Sequence, residues 1–314
     1  LATNICVTGA TGLIGSALLD DLASRDFNVT AVARTLPLQS EQNFLASNGD
    51  KFSWLQGDLN SYSDCLDIVN QQEVIFHLAQ KNSPLTSDLD WPSDALLNII
   101  PTLNLIKAIK ESGNVPHLIY PSSGGAVYGS VKNKMLISEA NICFPQNSYG
   151  IQKLTAENYL RLAAQRGILR ATVLRISNVY GWLLSPSRKQ GFIGTAINQI
   201  KSCKPIRLFG NPDNVRDYVY KDDVTKALLL SITSDQDFEI FNIGTGVGTS
   251  VNQLIQIIEK ILNRKVAIYR DDSIDGENLT DWCVLDASKA KKLLNWEPDV
   301  SIVSGVKKMI ENCL

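Results

Sequence analysis

The chain has 314 residues, enough for one large domain or two modest ones. Apolar residues make up 44% and charged residues 20%, which excludes disordered and fibrous classes. Thirty basic residues against 32 acidic ones leave a net charge of −2, so nothing favours nucleic acid or an anionic membrane as a partner, and no apolar run is long enough to span a bilayer.

The chain enters an apolar strand within a few residues of Leu1, with no secretory signal ahead of it. A start at Leu is expected where native N-terminal residues are absent. The six cysteines are scattered without a C-x-x-C pair and there are only two histidines, so no metal site is expected. Free thiols in a reducing cytosol, and hence a cytoplasmic location, fit this usage.

Strand Ile5–Thr8 comes first, then Thr8-Gly9-Ala10-Thr11-Gly12-Leu13-Ile14-Gly15, then apolar residues at helical spacing from Leu13 to Ala23. A G-x-x-G-x-x-G loop between strand and helix suits a dinucleotide. Gly9 permits the tight turn, Gly12 lets backbone approach a pyrophosphate, and Gly15 lets the helix pack on the sheet. The helix start offers N–H groups to the anion. A second strand, Val29–Val32, ends at Ala33-Arg34-Thr35 with no acid to hold a ribose 2′-hydroxyl. Arg34 suits a 2′-phosphate instead, which tilts the cofactor from NAD toward NADP; a surface Arg34 or one stacked on adenine, with NAD bound, is the alternative. After the third strand, Phe52–Leu55, Asp58 reads either as an acceptor for the adenine amino group or as a turn residue.

A fourth strand spans Val74–Leu78, a long helix Asp94–Ser112, a fifth strand His117–Tyr120, a helix Ser148–Gln165 and a sixth strand Ala171–Arg175. The strands are continuous apolar runs, as expected where both sheet faces are covered. Strand–helix alternation of this kind predicts an α/β fold, a Rossmann-type doubly wound parallel sheet. From residue 181 the rhythm loosens. The expectation is a dinucleotide-binding domain over 1–180 and a smaller α/β substrate domain over 181–314, with some interleaving.

Tyr149 and Lys153 form a Y-x-x-x-K pair on one helix face. A phenol ordinarily titrates near 10. An ammonium about 4 Å away is worth roughly 4 kcal/mol at an effective dielectric of about 20, enough to bring the phenol toward neutral pH, with a bound nicotinamide cation adding to the effect. Such a phenol exchanges a proton with a sugar hydroxyl or carbonyl while hydride moves at the same carbon.

With Arg175-Ile176-Ser177-Asn178-Val179-Tyr180-Gly181, Arg216-Asp217-Tyr218-Val219-Tyr220, Asn242-Ile243-Gly244-Thr245-Gly246 and Leu285-Asp286-Ala287-Ser288-Lys289-Ala290, these motifs run from Ile5 to about Trp296. Together they resemble the extended short-chain dehydrogenase/reductases, and within them the NAD-dependent epimerase/dehydratase family, the group that includes UDP-glucose 4-epimerase. The resemblance implies that the glycine loop holds the cofactor diphosphate, that Tyr149 is the general acid/base with Lys153 as its partner, and that Lys153 also holds the nicotinamide ribose. Leu59, Leu78, Ala79, Lys81, Asn98 and Ser122 join the implied cofactor contacts. Asn178 and Arg216 are implied to hold the substrate diphosphate, although Arg216 beside Asp213 and Asp217 also reads as half of a salt bridge. Relatives of this kind are commonly homodimers through two helices, and the apolar stretches Leu96–Ile109 and Ala156–Ala164 would supply them, unless both are buried against their own sheet.

The chain departs from the family pattern in three places. Gly124 stands where many relatives carry a hydroxyl; Ser123 is the expected substitute, with Ser123, Gly124 and Tyr149 facing the sugar and Ser122 behind. Gly125 and Ala126 replace the acidic pair of the 4,6-dehydratases, so dehydration is not expected. No second arginine precedes Asp286; Arg270, Arg188 and Lys189 are the nearby cations. The reading is therefore a nucleotide-sugar 4-epimerase. An NADP-dependent 4-keto-sugar reductase is the alternative, and a non-catalytic dinucleotide sensor a lesser one.

Overall fold

The computed structural model describes residues 2–38, 51–81, 87–131, 134–183, 191–271 and 281–313. Seven parallel strands form the main sheet. They are β1 (Thr3–Thr8), β2 (Phe27–Ala33), β3 (Phe52–Gln56), β4 (Val74–His77), β5 (His117–Ser123), β6 (Arg170–Ile176) and β10 (Phe238–Ile243), in the order β10-β6-β5-β4-β1-β2-β3. The order reverses between β1 and β4, and ligands of doubly wound sheets bind in the crevice at the carboxyl ends of such strands.

Alternate strand residues feed two different cores. Ile5, Val7, Val29, Ala31, Phe76, Ile119 and Leu174 pack in one layer with helices α1 (Leu13–Ala23) and α7 (Lys221–Ser231). Cys6, Val32, Ile75, Leu118, Tyr120 and Val173 pack in the other with α2 (Tyr62–Val69), α3 (Trp91–Ser112) and α5 (Ser148–Gln165). Each fully buried side chain of this size contributes about 1.5–3 kcal/mol. Burial on both faces is why these strands read as unbroken apolar runs.

Helix bounds follow local chemistry. Asn147 caps α5 by accepting from the Gly150 N–H at 2.8 Å, and Asp90 caps α3, which ends at Gly113 with φ of 73°. The helix at Leu13–Ala23 has the bounds its apolar spacing predicts. Two short helices were not foreseen: α2, and α4 (Gly124–Val127).

Strand β10 lies far beyond residue 181, yet it pairs with β6 and completes the first sheet. The remaining elements include β7 (Asn178–Tyr180), α6 (Phe192–Lys201), β8 (Ile206–Leu208), β9 (Val215–Tyr220), β11 (Gly248–Ser250), α8 (Val251–Leu262), β12 (Ile268–Arg270), β13 (Trp282–Cys283), α9 (Ser288–Leu294) and α10 (Ile302–Glu311). Most of them build a separate apolar cluster around β7, α6, β8, β9, α8 and α10, while α9 packs on the first-sheet core and Cys283 of β13 joins a smaller cluster. Strand β9 is their hub, pairing with β7, β11 and β13. No helix among the described residues is long and apolar enough to cross a membrane. All six cysteines are free, and no metal-holding cluster occurs among the described residues.

Candidate active site

The glycine loop closes tightly at the end of β1. Gly9 has φ of +68°, and a Cβ there would lie 2.7 Å from the Ala79 nitrogen; a Cβ at Gly15 would collide with the Gly9 carbonyl oxygen. Both positions therefore need glycine. Helix α1 starts at Gly12 with no side-chain cap and no acidic residue in its first turn. Its orphan N–H groups, beside Thr11, Leu13 and Ile14, suit an anion. Leu78 and Ala79 are drawn against this loop by Thr8: the Leu78 N–H donates to the Thr8 carbonyl at 3.2 Å, and the Ala79 N–H reaches Thr8 Oγ1 at 3.4 Å.

The next residues are braced as well. The Lys81 N–H donates to Asn98 Oδ1 at 3.0 Å, while Asn98 Nδ2 donates to the Asp94 carboxylate at 2.9 Å. Asp94 also accepts from Gln152 Nε2 and from Ser148 Oγ, so the Lys81 loop, α3 and the start of α5 form one polar unit. The Asp58 carboxylate accepts from the Asn60 N–H and side chain, and the Leu59 carbonyl accepts from Asn104. Arg34 is exposed at the end of β2 and makes no ion pair with a described residue.

Tyr149, Lys153 and Ser123 come together where α5 crosses the end of β5. The Ser123 hydroxyl hydrogen-bonds the Tyr149 phenol. Lys153 is buried; its Nζ donates to the Pro121 carbonyl at 2.8 Å and lies 5.7 Å from the Tyr149 ring centre and 4.6 Å from that of Tyr120. One expectation needs correction. Burial pushes the Tyr149 phenol up to about 12, and the Ser123 bond only partly offsets it. The same desolvation brings Lys153 down to about 7. Adjacency of an ammonium on one helix face does not by itself acidify the phenol here, because the site that brings the groups together also strips their water.

Gly124 is held by shape. A Cβ there would lie 2.5 Å from Leu285 Cδ1 and 3.1 Å from the Arg175 carbonyl oxygen, so a side chain at this position requires the Leu285 side chain to shift. Ser122 turns the other way and donates to Glu157. Asn178, in β7, has its Oδ1 3.1 Å from where a Gly125 side chain would begin.

Arg216 sits on β9 beside Cys283 of β13, whose neighbour Leu285 packs under Gly124. Its guanidinium bonds the Val215 carbonyl at 2.9 Å, and burial lowers its affinity for a proton. Asp217 does not pair with it. That carboxylate is taken by the Thr245 N–H and hydroxyl, the Gly246 N–H and the Leu285 N–H. Arg216 has no carboxylate partner among the described residues. Arg270 is exposed on β12; Arg188 and Lys189 lie outside the described residues, as does most of the segment just before Asp281.

The family model described as NAD dependent epimerase/dehydratase family matches residues 5–244. The chain belongs to this family. It is 32% identical to a dTDP-4-dehydro-6-deoxyglucose reductase of Escherichia coli over 98% of this chain and 96% of that one. Among solved structures it resembles a Thermotoga maritima UDP-glucose 4-epimerase with UDP-glucose, at 33% identity and TM-score 0.87, covering 98% of each chain. It also resembles a Thermus thermophilus UDP-glucose 4-epimerase in complex with NAD, at 25% identity and TM-score 0.85, again covering 98% of each.

A buried group passed over in the sequence completes the site. Glu157, one turn beyond Lys153, is 2% exposed and pairs with Arg175 of β6 at 2.7 Å. Its only signal in the sequence was the i+4 spacing that had already linked Tyr149 to Lys153.

Proposed function

We propose that the chain is a nucleotide-sugar 4-epimerase. The observation that carries this reading is the convergence of Tyr149, Lys153 and Ser123 at the end of β5, with Arg216 held across the Cys283–Leu285 segment.

A dinucleotide fits the residues present: the start of α1 has no side-chain cap and no acidic residue in its first turn, leaving its N–H groups for phosphates. Gly9, Thr11, Gly12, Leu13, Ile14 and Gly15 would hold the diphosphate. Arg34, Asp58, Leu59, Leu78, Ala79, Lys81, Asn98 and Ser122 would line the rest of the site or brace it. When bound, the nicotinamide supplies the hydride acceptor and donor.

Tyr149 takes the proton of the sugar C4 hydroxyl and later returns one to the same oxygen. Because burial favours the neutral phenol, positive charge beside it is needed for the transfer, and the Lys153 ammonium supplies it. Ser123 fixes the phenol and shares its bond with the reacting oxygen. Arg216 and Asn178 orient the diphosphate; the planar guanidinium suits two phosphate oxygens at once.

The second reading, an NADP-dependent 4-keto-sugar reductase, is favoured by the exposed Arg34, which pairs with no acid among the described residues, and by the likeness to the E. coli reductase. The purified protein is denatured and its released nucleotide identified; UDP-glucose, UDP-GlcNAc and a nucleotide 4-keto-6-deoxy sugar are then offered. Interconversion of a UDP-sugar without net change in reduced nicotinamide supports the epimerase. Stoichiometric NADPH loss with the keto sugar supports the reductase. No turnover despite bound nucleotide refutes both.

The same reading assigns residues 1–180 mainly to the dinucleotide and 181–314 to the nucleotide sugar, with β10 interleaved. It includes a cytoplasmic location, in keeping with the free thiols. It also includes a homodimer through α3 and α5, which pack side by side and expose Leu96, Ile100, Ile151, Tyr159 and Leu162.

A further inference from the structure

Tyr149, Lys153 and Glu157 fall at i, i+4 and i+8 on α5, so they descend one face of the helix from the site into the core. Glu157 accepts from Ser122 and from two nitrogens of Arg175. Ser122 Oγ donates to Oε1; Arg175 Nε reaches Oε2 at 3.1 Å and Nη2 reaches it at 2.7 Å. Arg175 Nη1 continues to the Tyr128 hydroxyl at 3.0 Å, which donates to Asn242 Oδ1 at 2.7 Å. Asn242 Nδ2 then donates to the Ile137 carbonyl at 2.7 Å. The network thus joins α5, β5, β6, the residues after α4, and β10.

We propose that Glu157 is a positioning residue for the reaction: its buried carboxylate, bonded to Ser122 and Arg175, holds the Ser122–Ser123 strand end in register with Tyr149 and favours the ammonium form of Lys153 one turn away. The proposal rests on the catalytic reading of Tyr149 and Lys153 given above.

Lys153, Arg175 and Glu157 are all buried; Glu157 pairs directly with Arg175 and lies one helical turn from Lys153. The groups facing Lys153 are Tyr149 and Glu157 on its own helix, Tyr120 on β5 and His77 on β4, with Arg175 on β6 behind Glu157. Glu157 is the one carboxyl group among them. Burial drives Lys153 toward the free amine, and the Glu157 charge is what opposes it.

The hydroxyl side is equally specific. Lys153 binds the Pro121 carbonyl, Ser122 binds Glu157 and Ser123 binds Tyr149. Three consecutive residues of β5 are therefore tied to three positions, one turn apart, on α5. Loss of the middle tie frees its neighbours.

The test compares Glu157→Gln, Glu157→Asp and Ser122→Ala with the unaltered chain on whichever nucleotide sugar the unaltered chain turns over. If the unaltered chain turns over none, the functional reading fails and the variants are not its cause. Bound cofactor and thermal midpoint are measured for each variant. Glu157→Gln is expected to retain cofactor, lose ten-fold or more of kcat at pH 8, and move the alkaline limb of kcat down by about one pH unit. Glu157→Asp, which keeps the charge, is expected to keep that limb with a lower kcat. Ser122→Ala is expected to lower kcat three- to ten-fold with KM and the limb unchanged. A merely structural Glu157 would lower the thermal midpoint and leave the limb in place, which would overturn the proposal. Should Glu157→Gln not fold, an unchanged kcat in Ser122→Ala would overturn it.

Discussion

Lys153 Nζ donates to the carbonyl oxygen of Pro121 at 2.8 Å, joining the helix that carries Tyr149 to the strand that ends in Ser122 and Ser123. One ammonium donor is spent on this brace and the others remain for the site. The lysine is a strut as well as a charge. Lys153→Met removes both while relieving a buried charge of its desolvation cost. It is expected to fold, to show an unchanged far-ultraviolet spectrum, and to lose 10²–10⁴-fold in kcat, the usual worth of an acid–base partnership. Steady-state kinetics on the purified variant checks this.

A side chain at Gly124 would press on Leu285 Cδ1 and approach the Arg175 carbonyl oxygen. Gly124→Ser is expected to destabilise by about 1–3 kcal/mol through overpacking. Adding Leu285→Ala relieves the nearer contact, so the double variant is expected to lose less than the two single losses combined. Urea titrations of the three variants measure the coupling.

Two buried histidines predict how stability changes with pH. His77 lies between Thr8 Oγ1 at 3.1 Å and Thr102 Oγ1 at 3.0 Å, and burial, with a smaller push from Lys153, brings it down to about 3. Burial brings His117 down to about 4. Both titrate near 6.5 when unfolded. Between 6.5 and those lower values the unfolded chain binds protons that the folded chain does not. Their contribution is therefore complete above 6.5 and lost as the pH falls, by up to about 1.4 kcal/mol per pH unit for each. Urea midpoints from pH 7 to 4.5 are expected to fall accordingly, and His77→Gln to remove one proton from the slope. An equal slope in the variant would show that His77 is not neutral in the folded state.

The exposed apolar side chains on α3 and α5 predict assembly. Leu96→Glu with Leu162→Glu places charge on that face without touching either core layer. Sedimentation equilibrium is expected to show a dimer for the unaltered chain and a monomer for the double variant. A monomer for both would remove the homodimer from the account.

Much of this was legible in the sequence, and what was not has physical reasons. Strands such as Ile5–Thr8 and Val74–His77 show as short unbroken apolar runs because both faces of the sheet are covered, and that lack of alternation placed them. Helix α5 carried its own cap, Asn147, and its own spacing. By contrast, α2 buries only Cys65, Ile68 and Val69, too few to announce a helix. Phe238–Ile243 is an ordinary apolar run, and nothing local says that it joins the first sheet beside β6. The Tyr149–Lys153 spacing was visible; the degree of desolvation around both groups was not, since it depends on Tyr120, Pro121 and His77 arriving from other strands. The Glu157–Arg175 pair was hidden for the same reason: its partners are 18 residues apart in sequence and meet only when α5 packs on β6.

Proton transfer by Tyr149 is the claim on which the account turns. Tyr149→Phe removes one oxygen from a phenol that Ser123 holds in place. With cofactor content measured on the same preparation, the account predicts full nucleotide occupancy and a kcat reduced by at least about 10² on any nucleotide sugar that the unaltered chain converts. Turnover at the unaltered rate by the phenylalanine variant would contradict it.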